Sequence, residues 1–196
     1  MISFKIHKDN MYNTLLMLSR NTFFYSKIKL PDSFETRIYL MFFHFSILMI
    51  IFKKKGKKFD QKNYDYLFHS IENNLRELGL GDVAVNKKMK ELNKILYDIL
   101  LKIDISKFGN DKFVLNEKLL SKYFNEINIP NSDNLSKIVK YFDSFFNFCF
   151  ELSTDIMIEK LKNFKISAAS EWVSAAVALA AASSRLWREV MAWRCA

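Results

Sequence analysis

Fifteen consecutive residues, Ile38 to Phe52 (IYLMFFHFSILMIIF), carry no charge and stand between Arg37 and the basic cluster Lys53-Lys54-Lys55-Gly56-Lys57-Lys58. A helix that is apolar on every side has to be enclosed on every side, by protein or by lipid. Crossing a bilayer takes about 20 predominantly apolar residues, whereas runs of roughly 10–14 are usually buried core helices. This run is only slightly longer than the second class and holds His44 and Ser46. It reads as the central helix of a bundle rather than a membrane span. His44 is then expected as a hydrogen-bonded core histidine and not as a metal or haem ligand, because no second His, Cys or carboxylate stands at ligand spacing on the same segment. Met41 and Met49 read as core filler.

What surrounds that helix is expected to be helical too. The 196 residues include only 4 Gly and 2 Pro, far short of the turn residues that an all-β sandwich or barrel needs. Half the residues are hydrophobic, 19 are Phe and only 26% are charged, which excludes intrinsic disorder. The length suits one domain, or one domain with an appendage. The fold class read from the sequence is all-α, a single irregular helical bundle without solenoid repeats.

Apolar spacing and cap signals place the elements. A short helix covers about 10–19, through Met11, Leu15, Leu16 and Leu18. PDSFETR opens the central helix, with Asp32 as its cap and Glu35 reaching back as in a capping box. The next helix runs from about Asp60 to Leu78, with Tyr64, Leu67, Phe68, Ile71, Leu75 and Leu78 on one face, and Gly79 stops it in a left-handed conformation. A further helix from Val83 or Asn86 to Asp104 carries the stripe Met89, Leu92, Ile95, Leu96, Ile99, Leu100 and Ile103, with Lys87, Lys88 and Lys90 outside. FGND, 108–111, is a turn; 116–127 forms a helix; Pro130 and Asn131-Ser132-Asp133 open a last helix over roughly 133–162. That last helix contains YFDSFFNFCF, read as packing surface, with a partner-binding groove as the alternative. Cys149 within it reads as a small buried hydrophobe.

A composition seam follows Lys165-Ile166. Before it the only Ala is Ala84 and there is no Trp; after it come Ala168, Ala169, Ala175, Ala176, Ala178 and Ala180 to Ala182 with Trp172, Trp187 and Trp193, while Lys and Asn vanish. Two domains are therefore drawn, 1–166 and an Ala/Trp/Arg-rich tail, 167–196. The tail reads as a vector-derived, frameshifted or chimeric appendage, or else as a genuine Ala-rich helix. The net charge of +9 and pI near 9.4 favour anionic partners such as RNA or an acidic membrane leaflet. The tail holds Arg185, Arg188 and Arg194 against Glu171 and Glu189, so the basic character belongs to the body.

Motifs for chemistry are absent from the pattern. LGLGDVAV has two glycines but not G-x-G-x-x-G, and it lies between helices without a preceding strand. His7, His44 and His69 stand on separate elements without H-E-x-x-H spacing, and no nucleophile elbow occurs. Cys149 and Cys195 form neither a disulfide framework nor C-x-x-C, which suits a reducing compartment; the N-terminus does not read as a secretory or transit signal. The expectation is a non-enzyme with no catalytic residue, cofactor or metal.

Two blocks carry a family resemblance. LRELGLGDVAVNKKMKEL, Leu75 to Leu92, is similar to the central motif of the ubiquinol-cytochrome c chaperone family through Arg76, Glu77, Gly79, Gly81, Asp82, Ala84, Val85, Lys87, Met89 and Lys90. YSKIKLPDSFETRIYLMFFHF resembles that family's opening through Tyr25, Pro31, Asp32, Phe34, Arg37 and His44. The likeness is good over about 25–104, thinner to 166 and absent from the tail. Asn86 departs from it, since many relatives have Pro there, and either residue can start a helix.

The resemblance implies an all-α domain that binds a hydrophobic client, newly made cytochrome b, for assembly of the bc1 complex. It implies a small helical partner protein and the ribosome as further partners, peripheral membrane contact, and no specific DNA binding. It places the protein in the bacterial cytoplasm or at the inner membrane face, matching the mitochondrial matrix side in eukaryotic relatives. The alternative class is a basic helical RNA- or ribosome-binding module, suggested by Lys53 to Lys58 and Lys87 to Lys90. Of the motif residues, Gly79 and Gly81 are expected to permit a bend, and Arg76, Glu77 and Asp82 to form a network around it in preference to touching client.

Overall fold

The structure is a computed structural model that describes residues 10–106, 112–124 and 132–164. The chain divides into two units, Met1–Phe164 and Lys165–Ala196, and all described residues lie in the first. The tail, the FGND turn and Pro130-Asn131 lie outside them.

The described residues form seven α-helices: α1 (Asn10–Ser19), α2 (Phe34–Lys54), α3 (Gln61–Glu77), α4 (Asp82–Lys102), α5 (Glu117–Tyr123), α6 (Ser132–Glu151) and α7 (Thr154–Lys160). A π-helical turn, Phe23–Lys27, joins α1 to α2. The all-α bundle read from the sequence is the fold found. One small departure is an antiparallel ribbon of β1 (Asp104–Ser106) and β2 (Lys112–Val114), with Ile105 opposite Phe113. Three-residue strands are too short to show alternation in a sequence.

Every residue from Leu40 to Leu48 is buried, and α2 packs against α1, α4 and α6. By length and composition alone α2 would pass for a membrane span. Here its apolar surface is taken up by other helices. Much of that cover comes from the aromatic segment of α6: Tyr141, Phe142, Phe145, Phe146 and Cys149 are all buried. Phe142 lies 5.4 Å from Phe43 between ring centres, and Phe146 stacks on Phe113 at 5.1 Å. The packing reading of YFDSFFNFCF therefore holds. The rings that a partner-binding groove on this segment would have to expose are mostly core.

Four boundaries differ from the sequence reading, the simplest being α5, which ends at Tyr123 with Phe124 already out of helical conformation, where the sequence places a helix to about 127. The cap of α2 is Ser33, whose Oγ accepts from the Thr36 N–H at 3.1 Å, and not Asp32, whose carboxylate is held by Arg37. Glu35 simply lies in the first turn. The last helix is broken at Leu152-Ser153 into α6 and α7, with Ser153 as the extended residue before α7. A tertiary contact stabilises the break: Lys55 Nζ donates to Phe150 O at 2.6 Å and to Leu152 O, while sitting 5.3 Å from the Phe150 ring centre. Carbonyls left open at the end of α6 are thus satisfied by an ammonium from the end of α2. Finally, α4 begins at Asp82, so Asn86 is its fifth residue and does not cap it.

Glycine closes both α2 and α3 in the same way. Gly79 has φ +88°, the Gly79 N–H reaches Arg76 O at 2.9 Å, and the Leu80 N–H reaches Leu75 O at 3.2 Å. Gly56, at φ +66°, repeats this with Gly56 N–H to Lys53 O and Lys57 N–H to Phe52 O. Each pair of bonds is a Schellman closure, which needs a left-handed residue at that point.

Candidate functional site

The structure brings the two resemblance blocks together at one end of the helical body. The start of α2 lies beside the C-terminal end of α3 and the first turns of α4, where Lys88 Nζ stands 3.9 Å from Glu35 and 3.5 Å from Glu91. Between α1, α2 and α3 runs a groove of about 500 Å³. Tyr12 and Leu16 line it from α1 and Arg20 from the turn after it, Phe34, Arg37, Ile38 and Met41 from α2, and Asn74, Glu77 and Leu78 from the α3 end. Asn74 Nδ2 donates to the Tyr12 hydroxyl at 2.7 Å, tying α3 to α1 within the groove. Burial there raises the Tyr12 phenol above its ordinary pKa.

A second hollow of about 490 Å³ adjoins the groove and shares Arg20 and Arg37 with it. Its other lining residues are Thr22, Tyr25, Ser26 and Asp32. Arg37 grips Asp32 with two parallel bonds, Nε to Oδ1 at 2.7 Å and Nη2 to Oδ2 at 2.8 Å. The hydrogen bonds from Arg37 hold the Asp32 carboxyl below its usual range. Tyr25 donates to Ser19 O at 2.6 Å, fixing the π-helical turn against α1. Both grooves thus open beside guanidinium groups, and the first has an apolar floor.

At the α3–α4 bend, Arg76 bridges Glu72 at 2.9 Å and Asp82. The clasp expected from the sequence is present with one member exchanged. Glu77 belongs to the groove rim, and Glu72, one turn before Arg76, completes the clasp. The i, i+4 spacing of Glu72 and Arg76 is the signal that finds it. Gly81 also departs from expectation: it precedes α4 at φ −71°, ψ 161°, ordinary extended backbone, so of the two glycines at this bend Gly79 alone needs a glycine's freedom.

The other motif residues lie elsewhere. His44 is buried in the core of α2, with Nδ1 2.6 Å from Leu40 O and Nε2 2.8 Å from the Tyr141 hydroxyl. A carbonyl only accepts, so Nδ1 carries the proton and Nε2 accepts from Tyr141. This is the hydrogen-bonded core histidine anticipated above. Lys87 is exposed on α4, and Met89 is half-buried beside Phe68, Asn86, Lys90 and Asn93. Sequence reasoning did not find Tyr12, Leu16, Arg20, Asn74 or Leu78 as groove residues. Leu78, placed on the buried stripe, is in fact 61% exposed on the rim.

Gly79→Val is expected to lower stability by about 2 kcal/mol, because a β-branched residue is strained at positive φ. A Cβ built on Gly79 meets no atom within 4 Å, so the cost is one of backbone conformation alone. Gly79→Asn should cost less than half as much, since Asn adopts the left-handed region readily. Urea unfolding of both variants beside the parent checks this, and equal stability of Gly79→Val and parent would rule out the closure of α3.

Among the described residues, no group of three or more His, Cys, Asp or Glu side chains is placed to hold a metal ion. Burial pushes the Cys149 thiol far up, away from the thiolate that would react. What the geometry offers is surface for holding a partner: an apolar groove with charged rims on a helical body. The sequence model of the family described as ubiquinol-cytochrome C chaperone matches residues 26–162, and the chain belongs to that family. It is a chaperone family for assembly of the ubiquinol–cytochrome c complex, not an enzyme family. No curated protein and no solved structure gives a significant match.

Proposed function

We propose that the protein holds newly made cytochrome b while the ubiquinol–cytochrome c complex is assembled, and that the groove between α1, α2 and α3 is the holding site. The observation that carries this reading is convergence: Phe34 and Arg37 from one family block and Glu77 from the other line the same groove. Its floor of Leu16, Phe34, Ile38 and Met41 suits an apolar segment, and Arg20, Arg37 and Glu77 suit the polar groups flanking one. A small helical partner protein and the ribosome belong to the same proposal, as does work in the cytoplasm or matrix beside the membrane.

The experiment is affinity capture with the full chain from cells making the complex, asking whether apocytochrome b or nucleic acid is recovered. Leu78→Ser removes apolar surface at the rim, and the loss of roughly 1.5 kcal/mol of burial in the complex predicts about tenfold weaker capture. Its melting temperature should match the parent's, since Leu78 is exposed. Capture of RNA in place of cytochrome b, weakening steeply as salt rises, would favour the RNA-binding alternative suggested by Lys53 to Lys58. Loss of the gene with undiminished assembled complex would sink the reading.

A further inference from the structure

The outward face of α4 is a second surface, unrelated to the groove. Val83, Lys87, Lys90, Lys94, Tyr97 and Leu101 follow one another at intervals of four and three residues, and all six are exposed. At about 100° per residue these positions fall within an arc of about 80°, along about 27 Å of helix. Val85, Leu92, Leu96 and Ile99, on the opposite side, are buried in the bundle. The acids of α4 are engaged off this line: Asp82 by Arg76, Glu91 by Lys88, and Asp98 by Lys102 at 2.6 Å and Lys122 at 2.7 Å. Lys87, Lys90 and Lys94 have no ion-pair partner among the described residues.

We propose that this face of α4 docks flat on an anionic lipid bilayer, the three lysines on phosphate headgroups and Val83, Tyr97 and Leu101 in the interface. The charge is complementary, and the body as a whole is basic. The aliphatic residues select lipid over nucleic acid. Val83 is 85% and Leu101 81% exposed, one at each end of the lysine row. Aliphatic side chains gain nothing against a phosphodiester backbone but lose water contact at the acyl boundary, where lysine stems also lie comfortably. Tyr97, half exposed between them, has an apolar ring and a polar tip, the build of an interfacial anchor.

The test is co-sedimentation of the full chain with vesicles of phosphatidylcholine alone and of phosphatidylcholine with one part in three phosphatidylglycerol. The parent is expected to bind the anionic vesicles and to be released by salt. The triple variant Lys87→Gln, Lys90→Gln, Lys94→Gln should lose about a hundredfold in partitioning, at the usual contribution of a lysine near an anionic surface. Leu101→Ser should lose about tenfold with little change in salt dependence. Thermal unfolding of both should follow the parent, since every substituted side chain is exposed. Anionic vesicles left unbound by the parent, or bound equally by the triple variant, would overturn the proposal. So would a triple variant that loses single-stranded RNA while retaining lipid, which would make the face a nucleic-acid surface.

Discussion

Phe142→Ala is expected to cost the body about 4 kcal/mol, within the range for truncating a large buried aromatic. Phe142 is fully buried where three elements meet. Its ring centre is 5.4 Å from Phe43 and 5.2 Å from His44 on α2, 5.2 Å from Tyr141 on α6, and 6.3 Å from Phe24 in the π-helical turn. The surrounding rings are anchored on separate helices and cannot collapse into the void without moving α2, so most of the cavity persists. Domains of this size have only about 5–15 kcal/mol in hand. The variant should show a much lower urea midpoint with an unchanged slope. A loss under about 1 kcal/mol would mean that α6 does not cover α2 as described.

Acidification should produce the second large effect. Burial lowers the His44 pKa from 6.5 to about 4, opposed in part by the hydrogen bond to Leu40 O. The unfolded chain takes up its proton near 6.5 and the folded one only near 4. Stability from this site is therefore intact above pH 6.5 and drains away between 6.5 and 4, by about 3 kcal/mol in all. The opposite sign would apply to a histidine paired with a carboxylate. His44→Gln, less stable at neutral pH because it disrupts the Leu40 and Tyr141 bonds, should lack this slope. Urea midpoints of parent and variant from pH 7.5 to 4 make the comparison. Asp98, whose carboxyl is held low by Lys102, Lys122 and Tyr123 against its desolvation, titrates below this window. Parallel curves for the two proteins would show that His44 is not held neutral in the core.

Much of this fold is legible in the sequence, and the failures share a cause. α2 is plain because an uncharged run of its length has so few homes, and α3 because Leu67, Ile71 and Leu75 keep helical spacing up to Gly79. At the start of α2, Asp32 and Ser33 are both competent caps. The choice falls to Arg37, five residues on, which claims the Asp32 carboxylate and leaves Ser33 to cap. At Leu152-Ser153 neither Gly nor Pro announces a break, and the lysine that satisfies it arrives from α2. Local propensity is silent where a distant side chain decides. The groove shows the same division. Phe34, Arg37 and Glu77 were marked by the resemblance, whereas Tyr12, Leu16 and Asn74 become groove residues only once α1 lies against α2 and α3.

The dependence of α2 on α6 also sets a schedule. His44 and Tyr141 are 97 residues apart, as are Lys55 and Leu152. At roughly 5–20 residues per second, a ribosome needs about 5–20 s to supply the second member of each pair. During that interval α2 can acquire α1, α3 and α4, but its remaining side stays open, and by length and composition it passes for a bilayer-spanning segment. Translation near a membrane therefore sets folding in a race against insertion. Slowing elongation between codons 55 and 141 lengthens the exposure, and a shorter delay favours the bundle. A protein that belongs to a chaperone family thus carries, for the first seconds of its own existence, an apolar helix that its own chain does not yet fully cover.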